Sequence, residues 1–283
     1  MLAAGVVAIP AWAKERYERG LLWRVTREGK AASYVFGTIH DADARVVVPP
    51  APADGAFARS RALLVEFLPD AYSRERFTEA ALFTDGQTLD QKIGAGDFGR
   101  VLEQLAPSGL ERDVVAKLKP WGALINLRYS AADAPESLDA RLVGRARSRR
   151  LAVFQMEGVE EQIFAFDECP METQVALLKH SLAHREELMA LEDETIRAYL
   201  ARDLSAIWRL RERFIARYPE VAGHQAVMTK RLLYDRSVVM AYRMQRELRR
   251  GGAFVAVGAL HLHGEKGVLA LLQEDGFRAT RVY

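Results

Sequence analysis

The chain has 283 residues, 49% hydrophobic and 28% charged, with 40 Lys plus Arg against 38 Asp plus Glu and a formal net charge of +2. Such a chain buries a sizeable core in one large domain or two small ones. Its near-neutral balance argues against disorder and against nucleic acid as a main partner. One cysteine, Cys169, rules out an internal disulfide, so packing must hold the fold.

In chain order, residues 1–13 (MLAAGVVAIPAWA) are small and apolar, end in Ala11-Trp12-Ala13 and carry no basic start. They have the length and the A-x-A end of an export signal and are too short for a stable membrane span. This predicts a periplasmic or secreted protein, either cleaved before Lys14 or held by a membrane anchor. Residues 14–283 then read as a single domain with a helical insertion over about 71–250, interrupted by a strand near 151–156.

The stretch LLWRVTREGKAASYVFGTIH is rich in β-formers on both sides of REGK and predicts a hairpin, 21–27 and 33–39, with Gly29 in its turn. A helical PADGAFARSR precedes the apolar ALLVEF (62–67), so a crossover should set strands 33–39 and 62–67 parallel. Helical patterning dominates from 71 to 250. Thr88 is expected as a cap and Pro120 as a break, and ESLDARLVGRARSRR is amphipathic, feeding a short buried strand, LAVFQME, that ends at Glu157. Residues 169–219 read as two long helices jointed near Arg202-Asp203, and 224–252 as another stopped by Gly251-Gly252. AFVAVGALH, KGVLALLQEDG and FRATRVY close the chain as strand, helix and strand, a further βαβ unit. The predicted class is α/β: a mixed, largely parallel sheet with flanking helices and a helical insertion, two Gly-x-x-His strand ends meeting at one site.

That last expectation comes from a shared template. Ala32 to His40 and Ala253 to His261 both run as alanine, four mostly β-forming residues and Gly-x-x-His. In α/β proteins ligands gather beyond the carboxyl ends of parallel strands, where His40, Glu66, Glu157 and His261 all fall. Two imidazoles and two carboxylates suit a divalent metal. The residues alone leave open whether they share a site or whether the histidines are satisfied in the core. His180 and His184, four apart, read as a solvated helix face, and His263 as an exposed loop residue.

YVFGTIH, LLVEF, LKPWGALINL, LDARLVGRARSRRLAVFQMEGVEEQ and the C-terminal AFVAVGALHLHGEKGVLALLQEDGFRATRV, in this order, resemble the TraB/GumN family. That family includes the pheromone-shutdown proteins and the Tiki metalloproteases, with erythromycin-esterase and ChaN-like proteins as fold relatives. The resemblance implies a metal-dependent, peptidase-like hydrolase in which metal-activated water attacks a peptide or small carbonyl substrate. His40, His261, Glu66 and Glu157 would hold a divalent ion (Mn, Co or Zn), with Glu66, Glu157 and Arg236 catalytic, Asp139 a further motif acid, and Glu160 and Gln162 nearby. Three positions depart from the family pattern: its Arg-Asn pair is Arg236-Ser237, its Gly-x-Gly-His is Gly258-Ala259-Leu260-His261, and a threonine is replaced by Gly158. They motivate a second reading, a non-catalytic periplasmic binding protein of the same fold.

Overall fold

The computed structural model describes residues 17–41, 43–68, 70–128 and 137–283, so the apolar segment 1–13 lies outside the described residues. Strands β1 (Leu22–Thr26) and β2 (Ser33–Thr38) form the expected hairpin, and Gly29 takes a φ of +69° in its turn, where a side chain would be strained. Helix α1 (Ala51–Ala58) leads into β3 (Ala62–Val65).

Helices α2 (Ala71–Ala80), α3 (Leu89–Ile93), α4 (Ala95–Leu105), α5 (Arg112–Lys117) and α6 (Pro120–Arg128) follow. Thr88 stands at the N-cap of α3, with Gln91 accepting from its backbone N–H at 3.2 Å. Pro120 separates α5 from α6, as its missing N–H dictates. Helix α7 (Leu138–Ser148) precedes β4 (Ala152–Gln155), and α8 (Val159–Asp167) follows it. The stretch expected as two helices is three: α9 (Met171–Ala183), α10 (Arg185–Leu200) and α11 (Leu204–Ala216), because the chain also turns at His184. Helix α12 (Pro219–Thr229) runs through a π-helical turn, Lys230–Asp235, into α13 (Arg236–Arg250), which stops at Gly251 with a φ of +78°. Strand β5 (Ala253–Gly258), a 3-10 turn (Ala259–Leu262), α14 (Val268–Glu274) and β6 (Arg278–Arg281) complete the chain.

The six strands form one sheet in the order β4-β3-β5-β2-β1-β6. β2, β3, β4 and β5 are mutually parallel, while β1 runs antiparallel to both β2 and β6. The fold is therefore α/β with a mixed, mostly parallel sheet. β2 and β3 do run parallel, but β5 lies between them. β5 and β6 are likewise separated by β2 and β1, so the C-terminal strands are not the adjacent pair of a simple βαβ unit.

The parallel centre explains the apolar run of β5. Ala253 to Val257 are all fully buried, with helices covering both faces, and one core joins them to Leu138 and Leu142 of α7, Met240 and Met244 of α13 and Leu269 and Leu272 of α14. A second apolar cluster, Leu89, Phe98, Val101, Leu105, Leu178 and others, holds the helical part together. β4 departs from its expectation: it is the outermost strand, and Ala152, Phe154 and Gln155 are exposed. An apolar run of four residues does not distinguish an edge from a centre. Among the described residues no helix is long and apolar enough to cross a membrane.

Candidate functional site at the parallel strand ends

β2 and β5 are neighbours in register, Gly37 opposite Val257 and Thr38 opposite Gly258, so both Gly-x-x-His segments leave the sheet at the same edge. Each glycine has a steric reason. A Cβ on Gly37 would meet Leu262 Cδ1 at 2.8 Å and Ala259 Cα at 3.0 Å, so its absence lets the turn after β5 close against β2. A Cβ on Gly258 would sit 3.3 Å from Glu66 Oε1, 3.5 Å from His40 Nε2 and 3.5 Å from His261 Cδ2. Gly258 thus marks the point on which those three side chains converge. His261 lies in the 3-10 turn rather than on the strand itself.

Glu66, one residue beyond β3, is the hub. Its Oε1 accepts from the Gly258 N–H at 2.5 Å and its Oε2 from Arg236 Nη2 at 2.7 Å. His261 Nε2 lies 3.8 Å from Oε1 and His40 Nε2 3.8 Å from Oε2. Burial disfavours the ionised carboxylate, but the charges of the histidines and Arg236 and the contact with His40 outweigh it and hold Glu66 well below the usual carboxylate range.

The two imidazoles are held from behind. His261 Nδ1 is 2.8 Å from Ser237 Oγ, and that hydroxyl donates to the Leu233 carbonyl at 2.8 Å. With its single proton committed, Ser237 must accept from His261 Nδ1–H, so the Nε2 lone pair faces Glu66. Burial pushes the His261 pKa down to about 4, against the pull of Glu66, so the ring is neutral at pH 7. His40 Nδ1 lies 3.1 Å from Asp139 Oδ2, while Asp139 Oδ1 accepts from Thr38 Oγ1 at 2.9 Å. Burial opposes the charged ring of His40, yet Asp139 and then Glu66 hold its pKa well above the ordinary histidine value. Its side chain is 48% exposed and Glu66's is 8%, so His40 is on the open side of the cluster.

Arg236 couples the hub to a second acid. Its Nε lies 3.0 Å from each oxygen of Glu157 and its Nη2 2.7 Å from Oε2, while Nη1 donates to the Leu232 carbonyl at 3.2 Å. Gln162 Nε2 donates to Glu157 Oε2 at 2.9 Å. Burial pushes the Glu157 carboxyl up in spite of Arg236, and the two acids raise the Arg236 pKa despite its own burial.

The structure therefore brings His40, His261, Glu66, Asp139, Arg236 and Glu157 into one network, with Glu157 joined to the histidines only through Arg236 and Glu66. Glu160 is outside it, 59% exposed on α8 and paired with Arg76 at 2.8 Å. Sequence reasoning missed the work of Ser237, which stood out only as a lost amide, and of Thr38, whose hydroxyl within the first Gly-x-x-His segment was the available signal. His263 lies in the loop after the 3-10 turn, as expected, but it is half-buried rather than exposed and stacked on Trp208, ring centroids 5.6 Å apart.

Two imidazole nitrogens and one carboxylate around the space left by Gly258 form a donor set suited to a divalent cation. No group of three His, Cys, Asp or Glu among the described residues is already drawn in to ligand distances. Glu157 suits that role poorly, because Arg236 and Gln162 take both its oxygens.

The TraB/PrgY/gumN family model matches residues 21–281. No curated protein and no solved structure matches the chain.

Proposed function

From its membership of the TraB/PrgY/gumN family, we propose that the chain is a metal-dependent hydrolase of peptides or other carbonyl substrates, with His40, His261 and Glu66 holding the divalent ion. One observation carries this reading: two imidazole Nε2 atoms lie 3.8 Å from the two oxygens of the same buried carboxylate, each ring oriented from its far nitrogen. Polar partners behind a histidine fix its tautomer and raise its ligand quality. When bound, such an ion polarises a carbonyl and lowers the pKa of its water to about 7.

The chain's own groups divide the remaining tasks. His261 is fixed and neutral, and Glu66 stays ionised under Arg236. The arginine commits Nε, both hydrogens of Nη2 and one of Nη1 to protein acceptors, so its main work is to hold Glu66 and Glu157 in place. Two carboxyls whose pKa values are driven apart by their surroundings divide acid and base roles. Glu157, pushed upward by its burial while Glu66 is held down, is the more readily protonated of the two. The export-like pattern of residues 1–13 favours action outside the cytoplasm.

A second reading, a binding protein without turnover, is favoured by the same arginine, which already pairs with both acids. Divalent-ion affinity and hydrolysis of a peptide and ester panel with Mn, Co or Zn separate the two. Metal-stimulated turnover lost in His40→Ala and His261→Ala supports the hydrolase. Ion binding without turnover on any substrate supports sequestration, and no ion binding in the wild type overturns the metal site.

A further inference from the structure

A second histidine pair lies away from the sheet, where α9 meets α10. His180 and His184 are four residues apart, so they project from the same side of one helical turn, and their ring centroids are 4.6 Å apart. This is not the solvated face that their charged neighbours suggest. His180 is 6% exposed, and its Nε2 is buried without a hydrogen-bond partner. His184 ends α9 and begins α10, with its side chain 27% exposed.

The surroundings prepare His184 further. Its Nδ1 lies 3.3 Å from Glu187 Oε1, which also accepts from the Tyr218 hydroxyl at 2.7 Å, while Arg217 Nη2 lies 2.8 Å from Glu187 Oε2. A carboxylate fixed on Nδ1 places the proton there and leaves Nε2 as an electron-pair donor, the arrangement found behind metal-ligating histidines. Tyr218 packs its ring against both imidazoles, 4.7 and 4.1 Å between centroids, and Phe214 closes the side of His180. The pair thus combines an unpartnered buried nitrogen, a second nitrogen freed by an oriented carboxylate, and an aromatic wall.

We propose that His180 and His184 form a second metal site, a two-imidazole chelate for a borderline divalent ion such as Ni²⁺, Cu²⁺ or Zn²⁺. Among the described residues no third side chain completes a cluster there, so the two imidazoles are the protein donors of the site. Imidazole donors favour these ions over Ca²⁺ and Mg²⁺, which take oxygen ligands. Because His184 is the joint residue, the ion fixes the angle between α9 and α10.

The test uses His40→Ala, which weakens the sheet-edge site at a half-exposed position, as the background for Ni²⁺ calorimetry and Cu²⁺ electron paramagnetic resonance. The expected result is one bound equivalent with nitrogen hyperfine structure and a Tm that rises with Ni²⁺. Adding His184→Asn, at a partly exposed position, should abolish that equivalent while circular dichroism stays unchanged. Glu187→Gln should weaken it by about 10–100-fold, the usual effect of losing an orienting partner. Absence of the equivalent in the background, or its survival in His184→Asn, overturns the proposal without touching the reading of the sheet-edge site.

Discussion

Ser237 Oγ stands 2.8 Å from His261 Nδ1 and 2.8 Å from the Leu233 carbonyl, so one hydroxyl proton decides which nitrogen of the histidine carries its own proton and whether Nε2 offers Glu66 a lone pair. Ser237→Ala removes the hydroxyl acceptor and leaves the buried imidazole only the Leu233 carbonyl on that side, at a cost of about 1–3 kcal/mol. The ring should then populate the other tautomer, visible in the ¹⁵N shifts of the imidazole. Divalent-ion affinity should fall by about 10–100-fold. Unchanged imidazole shifts would show that Ser237 does not set the tautomer.

Gly258 and Gly37 separate occupancy of the site from its scaffold. Gly258 has a φ of −53° and a ψ of 135°, an ordinary conformation for any residue. The three atoms nearest to its added Cβ would be side-chain atoms of the site, at 3.3 to 3.5 Å. Gly258→Ala should therefore keep nearly all stability and lose ion or ligand binding. Gly37→Ala instead drives a methyl into Leu262 and the Ala259 backbone, and overpacking of that kind costs about 1–3 kcal/mol. Paired thermal melts and binding titrations check both; equal stability losses in the two variants would refute the distinction.

Much of this geometry was legible before any coordinates. The repeated Gly-x-x-His template marked two strands whose ends had to carry histidines, and His40 and His261 do converge from adjacent parallel strands. The sheet order was not legible, because strand adjacency depends on crossovers such as the one that places β5 between β2 and β3. The exposure of β4 escaped for a related reason: Val153 and Phe154 look the same in sequence whether a neighbouring strand lies on one side or both. The link through Arg236 was hidden by 79 residues separating it from Glu157 and 170 from Glu66. Likewise, the burial of His180 depends on Phe214 and Tyr218, which are remote from it along the chain.

Glu247 offers a pH-dependent test away from the candidate site. Its side chain is 4% exposed on α13, with Arg61 Nη2 at 2.7 Å and Arg250 Nη1 at 3.1 Å. Burial raises its pKa, but Arg61 and Arg250 outweigh burial and lower it below the ordinary 4.5. A carboxyl with a depressed folded-state pKa stabilises the fold above its unfolded pKa, and that contribution fades as pH falls through the folded value. Glu247→Gln should thus be less stable than wild type at pH 7, with the gap narrowing below about pH 4.5. Urea melts from pH 7 to pH 3 check this; a gap that stays constant would remove the ion pairs as its cause.

The last prediction concerns the arginine that joins the two acids. Arg236 is 15% exposed between Glu66 at 8% and Glu157 at 3%, so Arg236→Ala removes the cation that joins the two buried carboxylates and leaves His40 beside Glu66 alone. Removing one partner of a buried pair costs about 3–5 kcal/mol, because the survivor keeps its desolvation penalty. Lysine restores the charge but not the fork that reaches Glu66 and Glu157 together, so Arg236→Lys should recover only part of the loss. Adding Glu157→Gln to Arg236→Ala removes one of the stranded charges, and the double variant should be more stable than Arg236→Ala alone. Denaturant midpoints measure all three. If Glu157→Gln brought no recovery, the arginine's role would lie in packing rather than in holding two carboxylates, and reading Glu157 as the more readily protonated acid would lose its basis.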